Sequence, residues 1–221
     1  MTLSQIVVGI TSCAKHSDRR DACRETWIAE LTRAGVPHFF ALGRGVVTAH
    51  EDEVSFDVGD SYGELPQKTW SMVAYTQPVY GDGVTLFKCD DDTFVHVPRF
   101  LRLFQEIRPS YRGYGLLIDP KRSNDRYASG GAGYFLPSDA MRMVIRSSSM
   151  KSTSGAEDRI VGKILRDAGI LLFNDRRFSP WGRQMPRGDN DLITGHYVRP
   201  PQMRELHGAD PLHRHMSDRG A

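Results

Sequence analysis

The 221-residue chain sets 29 Lys and Arg against 27 Asp and Glu, a formal net charge of +2, with 39% hydrophobic residues. That length suits one sizeable α/β domain spanning 1–221, and so even a charge balance argues against a nucleic-acid surface, although the Arg- and His-rich last third would suit an anionic small ligand. No apolar run approaches membrane-spanning length, the opening MTLSQIVVGITS is too short and too β-branched for a signal peptide, and Cys13, Cys23 and Cys89 lack metal-ligand spacing. The expectation is a soluble chain in a reducing compartment, hence cytoplasmic, with a trimmed luminal domain as the alternative location and a single disulfide as the alternative for the cysteines.

Ile6, Val7, Val8, Gly9 and Ile10 read as a central parallel strand opening into a loop at Thr11 and Ser12. Ser17 can cap a helix that carries Ala22, Cys23, Trp27, Leu31 and Ala34 on one side and stops at Gly35. His38 to Leu42 supplies a second strand, completing a βαβ start that favours a right-handed crossover. A short strand at 54–57 precedes the turn-rich 59–63, and Leu65 and Pro66 open a helix through about Tyr75.

The apolar run Val84 to Phe87 ends in Lys88, Cys89 and three consecutive carboxylates, Asp90, Asp91 and Asp92, before Phe94 and Val95. Adjacent acids at the mouth of a buried strand repel one another and call for a compensating cation, read here as a divalent metal. A solvated polar turn is the alternative. Pro98 opens a covering helix, 114–118 reads as a strand, 119–126 as a charged loop, and Ser129 to Gly133 as the most backbone-permissive stretch, where a ligand can approach the main chain or the chain simply turns.

Tyr134 to Leu136 resumes a strand, Ser138 starts a helix, and 147–154 is a polar linker. Ser154 with Glu157 matches a capping box, which gives Glu157 a local partner; the following helix stops at Gly169. Asp158 sits in the first turn, where the helix dipole alone would favour it, and Gly162 one turn later would leave space above it. A strand at 170–173 is followed by an Arg-, Pro- and His-rich tail without strong period, folded over the sheet and frayed from 218 onward. Trp27, Trp70 and Tyr62 are read as core.

Five blocks occur in an order that resembles one family. RETW at 24–27, DVGDSYGEL at 57–65 with Lys68 and Thr69, KCDDDTFV at 88–95, SGGAGYFL at 129–136 and EDRIVG at 157–162 are similar to the conserved blocks of the Fringe and β-1,3-galactosyltransferase family. Glu64 stands where that family usually has Asn, and Arg159 and Ile160 depart from its usual residues. The resemblance implies a GT-A (Rossmann-like) fold, a mixed, mostly parallel sheet flanked by helices. It also implies inverting, β-1,3-forming transfer from a UDP-sugar, UDP-galactose first and UDP-N-acetylglucosamine the alternative, to a carbohydrate or glycoconjugate acceptor.

The resemblance assigns residues as well. Asp92 would be the first metal ligand, with Asp90 or Asp91 on the ribose or a metal-bound water. A late histidine, His196 first and His207 second, would complete the site, and imidazole beside carboxylate suits manganese, with magnesium the alternative. Arg24, Asp60 and Lys68 would line the donor pocket, and Gly130 and Gly131 would bring backbone amides to the donor sugar or acceptor. Inversion needs a base for the acceptor hydroxyl: Asp158 first, Glu157 second. Trp181, in a loop-like SPWGR, suits the acceptor site. Residues 1–136 would form mainly the nucleotide-sugar and metal half, and 137–221 the base and acceptor half. The rival readings are a metal-dependent phosphoryl-transfer enzyme, disfavoured by the lack of a GxxxxGK[ST] loop, and a nucleotide- or carbohydrate-binding relic without turnover.

Overall fold

The computed structural model describes residues 5–106, 114–115, 117–118, 126–147, 149, 156–182 and 184–209. Strand β1 (Ile6–Thr11) is buried at every position, as a strand covered on both faces must be. Its side chains alternate, so Ile6, Val8 and Ile10 enter one apolar layer while Val7 enters the other. Gly9 faces that second layer, and a Cβ there would stand 2.6 Å from Met72 Sδ, so glycine lets a helix lie close on the sheet.

After β1 come α1 (Ser17–Cys23), a π-helical segment (Arg24–Ile28), α2 (Ala29–Arg33), β2 (His38–Leu42), β3 (Glu53–Ser55), α3 (Leu65–Tyr80), β4 (Thr85–Asp90), β5 (Phe94–Val95) and α4 (Val97–Glu106). The chain continues through β6 (Tyr114–Gly115), β7 (Leu117–Ile118), β8 (Tyr127–Ala128), β9 (Tyr134–Leu136), α5 (Ser138–Arg146), α6 (Glu157–Asp167), β10 (Phe173–Asn174), β11 (Phe178–Ser179), β12 (Thr194–Gly195) and α7 (Pro200–Ala209). The main sheet has seven strands in the order β10-β6-β9-β4-β1-β2-β3. Strands β3, β2, β1 and β4 run parallel, while β9 is antiparallel to both β4 and β6.

One layer buries Trp27, Phe87, Phe100, Phe104 and Phe135 under the α1–α2 segment and α4; the other buries Met72, Val73, Met141, Val161 and Leu165 under α3, α5 and α6. Phe87 meets Phe100 and Phe135 at ring-centroid distances of 4.8 Å each, and full burial of one such ring contributes roughly 1.5–3 kcal/mol. No helix among the described residues is long and apolar enough to cross a membrane, and all three cysteines are free.

Several sequence expectations are corrected. Ser17 is the first residue of α1, entered from a 3-10 turn at Ala14–His16, and it makes no side-chain cap. The helix through Tyr75 runs on to Tyr80 and stops at Gly81, whose φ of 96° only glycine adopts readily. The strand at 114–118 is two short ones, β6 in the main sheet and β7 paired with β8. The strand at 170–173 shrinks to Phe173 and Asn174. The tail, expected to fold over the sheet without strong period, carries regular elements: β11 and β12 form a three-stranded sheet with β5, and α7 buries Met203 and Leu206. Residues 119–125 of the charged loop, residues 148 and 150–154 of the polar linker, and the end at 210–221 lie outside the described residues.

Candidate active site

The carboxylates at the end of β4 are sorted by strand alternation. Phe87 and Cys89 face the α1–α4 layer and Leu86 the opposite one, so Lys88 and Asp90 share a side and Asp91 takes the other. Asp91 is 3% exposed. It accepts from Ser12 Oγ at 2.7 Å and Arg19 Nη1 at 3.0 Å, and lies 3.0 Å from His16 Nδ1. Burial still leaves its carboxyl above the usual range, against the pull of Ser12, His16 and Arg19.

Asp92 follows in the turn. Its Oδ2 accepts from Arg19 Nη1 at 3.1 Å and its Oδ1 lies 3.1 Å from His196 Nε2. The same imidazole nitrogen is 3.9 Å from Asp90 Oδ2. One ligand atom from each of Asp90, Asp92 and His196 falls within a 4.8 Å cluster. On the far side of the ring, His196 Nδ1 lies 3.2 Å from the Pro180 carbonyl. A ring that donates its proton there leaves the Nε2 lone pair facing the two carboxylates, the outer-shell arrangement that orients a metal-ligating histidine. These residues therefore fit a divalent cation with mixed oxygen and nitrogen donors. Burial lowers the imidazole's proton affinity, but the hydrogen bond to Asp92 and the charges of Asp90 and Asp92 raise it overall. Asp92 is pushed up by burial and brought below the usual range chiefly by His196. His207, the second choice, is elsewhere: its Nδ1 lies 3.2 Å from Glu30 Oε1.

A cavity of about 270 Å³ opens beside this cluster, walled by Ser12, Cys13, Asp60, Tyr62, Lys68, the three aspartates, His196 and Tyr197. Lys68 is buried and donates to Ser12 O at 2.8 Å and Asp60 Oδ1 at 2.5 Å. Asp60 also accepts from the amides of Ala14 (2.6 Å) and Gly43 (2.9 Å). Burial pushes its carboxyl up, but Lys68 and these amides outweigh that and hold it low. Tyr62 is no core residue: it lies 71% exposed at the cavity rim, because its 3-10 turn carries the ring outward. Trp27 is fully buried and Trp70 donates to Ile145 O at 3.1 Å.

Arg24 does not line this cavity. Its guanidinium donates to Asp52 Oδ1 (2.7 Å), Glu53 Oε1 (2.7 Å) and Asp21 Oδ1 (2.9 Å), so the donor-pocket expectation for Arg24 gives way to a brace between the π-helical segment and β3. Glu53 also accepts from Arg20 Nε at 2.9 Å and the Ala49 amide at 2.9 Å. Burial alone would raise Glu53, but Arg24, the Ala49 amide and Arg20 lower it from 4.5 to about 2. A carboxyl depressed on folding stabilises above its unfolded value and loses that contribution as pH falls through its folded one, a contribution of roughly 3 kcal/mol here. Glu53→Gln is expected to lower unfolding free energy by about that amount at pH 7 and by much less at pH 3. Urea unfolding at both pH values checks this, and an equal deficit at both would contradict it.

The glycine turn packs behind the His196 ring and against Glu157 and Lys88. Thr93 Oγ1 and Thr194 Oγ1 pin it by donating at 2.6 Å to the carbonyls of Gly131 and Ala132. A Cβ at Gly131 would overlap the His196 ring at 2.0 Å, and one at Gly130 would meet Glu157 Oε1 at 2.4 Å. The space freed by both glycines is thus taken by protein side chains, and the Gly130 amide donates to Asp158 Oδ2 at 3.1 Å. The expectation that these amides meet the ligand directly is corrected for Gly130, whose N–H is already engaged.

Glu157 is 3% exposed, and both its oxygens are engaged, by Lys88 Nζ at 2.6 Å and Tyr134 Oη at 2.8 Å. The cap of α6 is Ala156, without a side-chain bond, so the capping role expected of Glu157 is replaced by a buried ion pair; Ser154 lies outside the described residues. Asp158 is half-buried, and its Oδ1 accepts from the Arg159 amide at 2.8 Å. Gly162 does not leave space above it: a Cβ there would meet Tyr127 Cβ at 2.4 Å, so the glycine lets α6 approach β8.

Trp181 is 61% exposed, next to the Pro180 carbonyl that holds His196. Tyr197 is 59% exposed and stacks on His196 with centroids 3.9 Å apart. Its φ of 60° is unfavourable for a residue with a Cβ. A second cavity of about 670 Å³ lies beyond Asp92 and Tyr197, with Arg19 and Arg199 on its walls. Ser12, His16, Arg19 and Tyr197 were not singled out from the sequence. Only the HYV following Gly195 carries a local hint, since Tyr197 adjoins His196; the others reach Asp91 and Asp92 across more than 70 residues of chain.

The comparisons with known proteins converge. A family model described as Galactosyltransferase matches residues 18–125. Mouse β-1,3-galactosyltransferase 1 is 24% identical over 237 aligned residues, covering 91% of this chain and 72% of that protein. Among solved structures, a glycosyltransferase involved in glycosylation of the major capsid of PBCV-1 superposes with a TM-score of 0.61 at 10% identity, covering 91% of this chain and 99% of the other. A mutant of Drosophila β-1,4-galactosyltransferase 7 in complex with manganese, UDP-Gal and xylobiose superposes at 0.52 with 14% identity, covering 97% and 79%.

Proposed function

We propose that this chain, which resembles galactosyltransferases and has a GT-A fold, is a glycosyltransferase that moves a hexose from a UDP-sugar to an acceptor hydroxyl with inversion, forming a β-1,3 linkage. UDP-galactose is the favoured donor and manganese the favoured ion, with magnesium as the alternative. The observation that carries this reading is the convergence of Asp90, Asp92 and His196 on the wall of a cavity that also holds Asp60, Lys68 and Asp91. The mouse relative's name supports the donor and the linkage, and the Drosophila complex supports UDP-galactose and manganese.

In this reading the cavity takes the nucleotide, with Asp60, Lys68 and Asp91 shaping its inner wall. Asp92, His196 and Asp90 hold the ion, which when bound neutralises the charge that develops on the departing diphosphate. The acceptor hydroxyl must lose a proton as it attacks from the opposite face. Asp158 takes that proton, since it is half-buried with lone pairs left on both oxygens, whereas Glu157 is enclosed and occupied. Trp181 and Tyr197 offer exposed aromatic faces to the acceptor. Residues 1–136 then supply most of the nucleotide site, and 137–221 the base, the acceptor wall and the histidine ligand. A cytoplasmic location belongs to the same reading, in keeping with three free thiols.

The test is a donor and acceptor screen with manganese, the product's anomeric configuration being read by NMR. UDP-galactose with a hydroxyl-bearing glycoside is expected to give a β-linked product. An α-linked product would refute inversion, and turnover with UDP-N-acetylglucosamine alone would move the donor to that sugar.

A further inference from the structure

Lys88, like Lys68, is only 1% exposed, but it takes part in neither nucleotide binding nor proton transfer as described. Its ammonium has three acceptors: Glu157 Oε1 at 2.6 Å, Asp90 Oδ1 at 2.7 Å and the Gly130 carbonyl at 3.3 Å. These match the three N–H groups of a lysine. They also belong to three separate pieces of chain: the start of α6, the end of β4 and the glycine turn. Tyr134 fastens the remaining oxygen of Glu157 from β9, and Gly130 returns its amide to Asp158. Burial would lower the proton affinity of Lys88, but Asp90 and Glu157 raise it well above the ordinary lysine value, so the ammonium stays charged.

We propose that Lys88 is a positioning residue that couples the cation site to the base: by dividing its charge between Asp90 and Glu157, it sets how strongly Asp90 attracts a cation while fixing the start of α6 beside Gly130. This rests on the proposed reading of Asp90, Asp92 and His196 as cation ligands. Glu157 acts through Lys88, and its charge is felt at the ion without contact.

The coupling has a sign. Neutralising Glu157 leaves Lys88 with one carboxylate partner, so its charge bears more fully on Asp90 and cation binding weakens. Neutralising Lys88 leaves Asp90 unopposed, so cation binding strengthens. A purely structural role would weaken binding in both variants, through loss of shape.

Manganese titration by calorimetry without nucleotide, on wild type, Glu157→Gln, Lys88→Met and the double variant, reads this directly. Glu157→Gln is expected to weaken manganese about 3- to 10-fold, Lys88→Met to tighten it several-fold, and the double variant to return towards wild type. The double variant removes both partners of the buried pair, which is tolerated better than removing one, so it stays informative if Lys88→Met folds poorly. Weakening in Lys88→Met, or a double variant showing the summed loss of two independent defects, overturns the coupling. A wild type that takes up no manganese overturns the cation site itself, and the coupling with it. As a second readout, Glu157→Gln is expected to keep measurable transfer, within about 10-fold of wild type in kcat; a loss as deep as that of Asp158→Asn at unchanged UDP affinity would make Glu157 the base and overturn its positioning role.

Discussion

Asp158→Asn is expected to lower the transfer rate about 10³-fold while UDP affinity stays within about 2-fold of wild type, the loss characteristic of a missing general base. Asparagine keeps the size of the side chain and, through its carbonyl, one acceptor for the Gly130 or Arg159 amide, so the first turn of α6 is retained. What it cannot do is accept the acceptor's proton. The contrast with Glu157 is one of access: two carboxyls adjacent in sequence differ in that one is sealed between Lys88 and Tyr134 while the other is half-buried. Steady-state kinetics with saturating acceptor, alongside nucleotide titration, separates the two effects. Unchanged transfer in Asp158→Asn would remove the assignment.

Asp92→Asn is expected to be at least as severe, with transfer falling about 10³-fold and the loss extending to nucleotide binding. Asp92 is the meeting point of Arg19 and His196, and the amide removes the negative charge that draws in the ion. The imidazole then loses the hydrogen-bonded anion that chiefly offsets its burial, so two of the three protein donors, Asp92 and His196, are altered by one atom's change. The effect acts mainly through the ion's hold on the diphosphate, a contribution of several kcal/mol. Full transfer activity in Asp92→Asn would be incompatible with a cation held there.

The mostly parallel sheet was legible because β1, β2 and β4 are long apolar runs whose periodicity needs no tertiary context. The β5, β11 and β12 sheet was not, because two-residue strands such as Thr194–Gly195 carry no period. Helix starts failed for a related reason. Ser17 and the Ser154–Glu157 box were read from local capping chemistry, whereas α1 is entered from a preceding turn and Glu157 is drawn inward by Lys88, 69 residues away in sequence. At the site, the apolar run ending in Asp90, Asp91 and Asp92 already puts the three carboxylates at the mouth of a buried strand, Asp90 being its last residue and the other two lying in the turn. What the sequence could not reveal is which cation each carboxylate meets: Arg19 and His16 reach Asp91 only once α1 is laid across the end of β4. Arg24 shows the converse, a residue placed in the donor pocket by resemblance alone and found bracing Asp52 and Glu53 instead.

The most direct measurement is calorimetric titration of UDP into wild type and Asp92→Asn, each with manganese and with chelator. The expected result is binding only for wild type with manganese. Equal binding with chelator, or undiminished binding by Asp92→Asn, would contradict a cation-assembled donor site built on Asp90, Asp92 and His196.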